Sequence, residues 1–486
     1  MTEHPASAGR VASGNPRLDA ILGGGLPAHG INLVVGPPGS GKTVLAQQYV
    51  FHNATPQRPA VYLTTVSEPL EKVLRYGQTM AFFDAGAVGR AVFYEDVGGP
   101  LGAQGLTAVL ERVDALLKER RPAVIVVDSF KALTPYATDE GEFRRFLHSL
   151  AGRLSAFPVT SLWVGEYDSA ELSTAPEFAV ADAIVSLSSE RVGQRELRVL
   201  QVLKLRGSGF LSGRHAYRLS EIGLEVFPRL ADPLDAAAYS MATERASSGI
   251  PALDAMLDDG YWPGATTLVA GPTGSGKTLM GLHFIVSGAR QGEPGIIATL
   301  QENPTQLQRI AQGFDWSLAE PGIELLARSP VDLYIDQWVY ELLAAIDRTG
   351  ARRVLIDSLG DLFFAAGDES RYREYLYSLV QRCSRLGVSL LLTFELPDLF
   401  QVTRLSELGV SHVSDNVVLL QYLRQPNAIR RTLTVVKTRA SLHKPQVREF
   451  TITPEGITLE NEIATDPEPP AQPLATEATA AARSPN

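Results

Sequence analysis

Two stretches of this 486-residue chain place a lysine and a threonine directly after a glycine-rich turn. Gly36, Gly39, Ser40, Gly41, Lys42 and Thr43 complete one G-x-x-x-x-G-K-[ST] pattern; Gly271, Gly274, Ser275, Gly276, Lys277 and Thr278 complete a second. Glycines at these places let the backbone aim its N–H groups at phosphate oxygens, and a helix that follows adds its positive N-terminal dipole. Val44 and Leu279 continue each cradle into that helix. Lys42 and Lys277 then point to the β- and γ-phosphates, and the Thr43 and Thr278 hydroxyls to Mg2+. The chemistry such a pattern predicts is phosphoryl transfer from ATP.

Such a cradle needs a second magnesium anchor at the end of a buried strand. Asp128 ends the apolar run 123–127, and Asp357 ends the run 353–356; each carboxylate is placed to hold a water of the Mg2+ shell. Neither aspartate is followed by glutamate, so the hydrolytic base comes from elsewhere. Candidates stand at the end of the second strand of each half: Glu302, and Glu68, which sits one place later relative to the aligned threonines and prolines. A carboxylate there polarises an attacking water or hydroxyl.

The elements that position these residues occur twice. Residues 13–43 and 248–278 align without a gap at roughly half identity, sharing S-G-x-P-x-L-D-A-x-L ahead of the cradle. That period is a whole domain, so the chain is a tandem duplication. The expected organisation is a first domain over 1–230, a linker over 231–247, a second domain over 248–462 and a disordered tail over 463–486. In the first half, strands are predicted at 31–35, 60–65, 123–127, 160–164, 197–204 and 216–218, with helices at 44–52, 106–118 and 142–155. The second half repeats the order, with strands at 267–270, 295–300, 353–356, 386–394 and 432–437. Strands alternating with helices predict an α/β fold, a mostly parallel sheet flanked by helices in each half. Phe314 and Trp316 read as core.

Composition narrows the setting. Hydrophobic residues make up 45% and charged residues 20%, enough apolar material for more than one core. A net charge of −10 argues against electrostatic coating of nucleic acid. A single cysteine excludes an internal disulfide and a Cys-rich zinc site. Residues 1–13 lack a basic-then-apolar leader, and no apolar run approaches the roughly 18 residues of a membrane span, so a cytoplasmic protein is expected.

Beyond the cradles, the chain carries Lys204-Leu-Arg206-Gly-Ser208 in one half and Lys437-Thr-Arg439-Ala-Ser441 in the other, then Val417-Val-Leu-Leu-Gln421-Tyr422 and Arg448-Glu449-Phe450. Over nearly its whole length it resembles the KaiC family of RecA-like ATPases, named for a circadian-clock protein. The resemblance implies two tandem RecA-like P-loop NTPase domains in a double-ring homohexamer, with ATP between neighbouring subunits and a regulatory protein as partner. Lys204 and Arg206 would then act on the nucleotide of the next first domain, and Lys437 and Arg439 on that of the next second domain. The family carries paired glutamates at the second strand end. Here the second domain has Gln301-Glu302, and the first has Val66-Ser67 before the displaced Glu68. The family's second domain phosphorylates an adjacent Ser-Thr pair on itself. Here Ser411 is retained and His412 stands at the threonine position, which leaves Ser411 as the phosphorylation candidate and removes a two-site cycle.

The expected function is therefore a ring-forming signalling ATPase with possible serine/threonine autokinase activity in the second domain. Two alternatives remain open at this point: a RecA-like DNA-dependent ATPase, and a first domain whose ATP serves assembly alone.

Overall fold

The structure, a computed structural model, describes residues 9–66, 69–168, 170–171, 174–192, 195–230, 243–331, 333–400, 410–439 and 441–462. The chain divides into two compact units, Met1–Asp232 with Asp332–Glu341 and Pro233–Val331 with Leu342–Asn486. The predicted tail and most of the predicted linker lie outside the described residues.

Nine strands make the first sheet: β1 Ile31–Val35, β2 Ala60–Thr64, β3 Val92–Asp96, β4 Val124–Asp128, β5 Thr160–Gly165, β6 Ala183–Val192, β7 Arg195–Leu205, β8 Arg214–Ser220 and β9 Gly223–Phe227. They lie in the order β3-β2-β4-β5-β1-β6-β7-β8-β9. The first six run parallel, and the last three return antiparallel. The second sheet has β10 Thr266–Gly271, β11 Gly295–Thr299, β12 Ile323–Ala327, β13 Arg353–Asp357, β14 Ser389–Glu395, β15 Asn416–Gln425, β16 Ala428–Thr438, β17 Val447–Thr453 and β18 Gly456–Glu462. Its order, β12-β11-β13-β14-β10-β15-β16-β17-β18, is the first sheet repeated strand for strand. Two mostly parallel sheets flanked by helices are the tandem RecA-like architecture.

Burial explains why the central strands read as largely apolar runs. On one face of the first sheet Leu33, Val35, Val61, Leu63, Ile125, Val127 and Trp163 pack under helices Leu106–Arg120 and Glu140–Ser155. Val34, Tyr62, Val126, Leu162 and Val164 face the other way, toward helix Lys42–Asn53 through Leu45 and Tyr49. Strands covered on both faces expose no face to water, so few polar side chains are left on them. In the second unit, helix Lys277–Arg290 packs Leu279, Leu282 and Phe284 with Val269, Ile297, Leu355 and Leu391, and Trp316 joins that core.

Strands β3 and β12 fall where no strand is expected from the sequence. Both are outer parallel strands, V-F-Y-E-D and I-E-L-L-A, with mostly half-buried residues. An edge position covers them incompletely, so their composition is mixed and lacks the continuous apolar signature of their neighbours.

Candidate active site

In the first domain, β1 runs straight into the glycine-rich turn. Gly36 has φ of 154°, and a Cβ there would lie 2.1 Å from the Leu187 carbonyl oxygen, so the strand-to-loop junction admits glycine alone. Gly41, at φ 90°, turns the chain into helix Lys42–Asn53. Lys42 is buried and folds back over the loop: Nζ donates to the Pro37 carbonyl at 2.8 Å and lies 3.8 Å from Glu166 Oε1. Burial lowers its pKa, against the opposing pull of Glu166 and Asp128. Thr43 Oγ1 donates to Asp128 Oδ2 at 2.8 Å, and the Tyr62 hydroxyl donates to the same oxygen at 2.5 Å. Burial, then the adjacent carboxylate, hold the Tyr62 hydroxyl protonated far above the usual tyrosine range. A cavity of about 850 Å3 opens above these groups, lined also by Lys72, Tyr76, Met80, Lys131 and Leu219. That volume suits a nucleotide.

The second domain repeats the arrangement. Gly276, at φ 107°, precedes helix Lys277–Arg290. Lys277 Nζ donates to the Pro272 carbonyl at 2.8 Å and lies 3.8 Å from Glu395 Oε2. Burial lowers its pKa too, opposed by Glu395 and Asp357. Thr278 Oγ1 donates to Asp357 Oδ2 at 2.7 Å. Here the second hydroxyl on the aspartate comes from another strand: Thr393 Oγ1, on β14, donates to Asp357 Oδ1. Both Asp128-Ser129 and Asp357-Ser358 peptide bonds are cis.

A threonine hydroxyl converging on an aspartate beside a phosphate cradle is a hard-oxygen donor set. It fits Mg2+, which keeps much of its own water and takes few protein ligands. Each domain thus gathers its lysine, threonine and aspartate at one point, across three adjacent strands of the sheet.

Other candidates fall elsewhere. Glu302 follows β11 and is half-buried, its N–H donating to Thr299 Oγ1. Thr299 pairs with Asp357 across the sheet, which puts the Glu302 turn beside the aspartate strand. Glu68 lies outside the described residues. Ser411 lies in the short helix Val410–Val413, and its side chain is outside the described part.

The K-x-R pairs are not gathered to the cradle of their own domain. Leu205 is level with Ala183, and Ala183 with Asn32, at the end of β1 remote from Gly36. Four residues at about 3.3 Å each separate the two levels. Arg206 instead sits 3.4 Å from Asp182 Oδ1, while Lys204 Nζ donates to the Phe178 and Ala179 carbonyls. The second domain matches: Arg439 lies 3.7 Å from Asp415 Oδ1, and Lys437 Nζ donates to the Ser414 carbonyl. Partial burial, then the neighbouring arginine, lower the pKa of both lysines.

Sequence reading missed Glu166, Glu395, Tyr62 and Thr393. The only signal was position: each glutamate closes or follows a strand expected at 160–164 or 386–394, and strand-end acids are common.

Comparison with known proteins agrees with this geometry. The chain is 27% identical over 461 residues to the "Circadian clock oscillator protein KaiC" of Rippkaea orientalis, covering 91% of this chain and 87% of the relative. It is 27% identical over 466 residues to the "Circadian clock protein KaiC3" of Synechocystis sp., covering 92% and 91%. The family model described as "ATPase: KaiC" matches residues 11–231 and again 246–463. With both repeats matched and both cradles formed, the chain belongs to the KaiC ATPase family.

Proposed function

We propose that this protein binds Mg2+–ATP in both domains, hydrolyses it at least in the second, and assembles as a ring, a homohexamer by family likeness, whose nucleotide state a partner protein reads. One observation carries the reading: each sheet has a complete phosphate cradle at one end and a K-x-R pair at the other. An arginine so placed is out of reach of its own γ-phosphate and available to a neighbour's. In the loaded site, Lys42 and Lys277 exchange their proline carbonyls for phosphate oxygens. Thr43 with Asp128, and Thr278 with Asp357, would hold Mg2+, which when bound would supply positive charge to offset that of the phosphates. Glu302 polarises the water in the second domain. Arg206 and Arg439 of the adjoining subunit stabilise charge that develops as the γ-phosphoryl group departs.

The same placement supports Ser411 as a phosphoryl acceptor. Arg439 donates to the His412 carbonyl and Lys437 to that of Ser414, so the pair is tied to the segment that carries Ser411. Cations engaging a neighbour's nucleotide would carry Ser411 toward its γ-phosphate. The relatives are clock proteins by name; a nucleotide-state signal is the part of that role this site supports.

The test incubates purified protein with ATP labelled on the γ-phosphate and follows label into free phosphate and into protein. Free phosphate that falls in Lys277→Ala and disappears when Lys42→Ala is added to it supports the ATPase. Protein-bound label lost in Ser411→Ala supports the autokinase, and unlabelled protein sinks it.

A further inference from the structure

The first domain lacks a glutamate at the place Glu302 occupies in the second, yet a carboxylate is built into its cavity by another strand. Val35 on β1 pairs with Gly165 on β5, so Glu166 stands level with Gly36, the first residue of the cradle. Gly271 pairs directly with Glu395, the equivalent position in the second domain. Each glutamate also lies 3.8 Å from its P-loop lysine. The duplication has therefore kept a carboxylate one strand, about 4.8 Å, from the P-loop, on the strand between it and the aspartate strand.

Among the described residues lining the 850 Å3 cavity, the carboxylates are Asp128 and Glu166. Asp128 is engaged by Thr43 and Tyr62. Glu166 is 56% exposed and meets Lys42 only at ion-pair distance. When a γ-phosphate takes Lys42, that carboxylate is left at the cavity wall, free to turn to a water.

We propose that Glu166 is the proton acceptor for ATP hydrolysis in the first domain. This rests on the ATPase reading above. A water oxygen bonds to the γ-phosphorus as the bond to the β-phosphate's bridging oxygen breaks, its electron pair leaving with ADP. One water proton passes to the Glu166 carboxylate, and from there to solvent.

The test uses the full chain with Lys277→Ala, so that turnover comes from the first domain, and compares it with the same chain carrying Glu166→Gln or Glu166→Asp. Binding of a fluorescent ATP analogue is read beside kcat. Glu166→Gln is expected to lower kcat about 100-fold or more while analogue Kd stays within about threefold. It should also erase the acid limb of the kcat–pH profile, which Glu166→Asp keeps. Unchanged kcat overturns the proposal, as does a kcat loss matched by an equal loss of affinity, which would make Glu166 a partner of Lys42 alone. Binding without turnover in the Lys277→Ala parent overturns it while leaving the nucleotide-binding reading intact. No binding in that parent overturns the reading itself.

Discussion

At the scale of single residues, identity is most constrained where backbone and ligand come close. Gly36 has no room for a methyl group against Leu187 and holds a positive φ. Gly36→Ala should therefore destabilise the first domain by about 2–3 kcal/mol and remove its nucleotide binding, measured by chemical denaturation and analogue titration. Arg353 is constrained for a different reason. It opens β13 yet is 1% exposed, with its guanidinium donating to Glu293 at 2.6 Å, to the Ser247 carbonyl at 2.7 Å and to that of Phe284 at 2.8 Å. Arg353→Ala removes all three and opens a void, so a loss of about 2–3 kcal/mol is expected in urea unfolding, with the first domain unaffected. An arginine beginning a strand reads in sequence as a solvated end; only its neighbours make it a clamp.

At the scale of elements, the P-loop helix of the second domain is tied to the last hairpin. His283 sits on helix Lys277–Arg290, stacks edge-on to Trp316, and accepts the Ile457 N–H at 2.9 Å. Burial lowers its pKa to about 4 from 6.5. The unfolded chain thus takes up a proton that the folded chain refuses, so this stabilisation is complete above pH 6.5 and is lost as pH falls toward 4. Its full size is about 3 kcal/mol. Urea midpoints of the second domain should drop between pH 7 and pH 5, and His283→Gln should flatten that slope. The strands follow the same logic of burial. β1, β4, β5 and their repeats were legible because two covered faces leave mostly apolar side chains, with Asn32, Thr160 and Ser161 among the buried polar exceptions in the first sheet. Edge strands β3 and β12 were not, because the sheet, not their own composition, makes them strands.

At the scale of the whole molecule, the separation of cradle and K-x-R pair has consequences for assembly. If each site needs cations from a neighbour, ATP binding and association are linked, and Mg2+–ATP should raise the mass seen by light scattering. Arg206→Ala should weaken that nucleotide-driven association, with the fold retained by circular dichroism. Lys42→Ala is expected to impair assembly, and Lys277→Ala mainly turnover. A monomer with and without ATP would refute the shared-site reading.

The sequence alone determined the duplication, the two cradles and the aspartates that close them, because phosphate and Mg2+ chemistry tolerates few residue types and demands them at short, fixed spacing. Contiguous motifs of that kind survive in one dimension. The placement of Glu166 and Glu395 beside the P-loop lysines, the hydroxyls of Tyr62 and Thr393 on the aspartates, and the remoteness of Lys204, Arg206, Lys437 and Arg439 from their own cradles were decided only by tertiary structure. These depend on strand order and register between segments tens to well over a hundred residues apart, which no local pattern encodes.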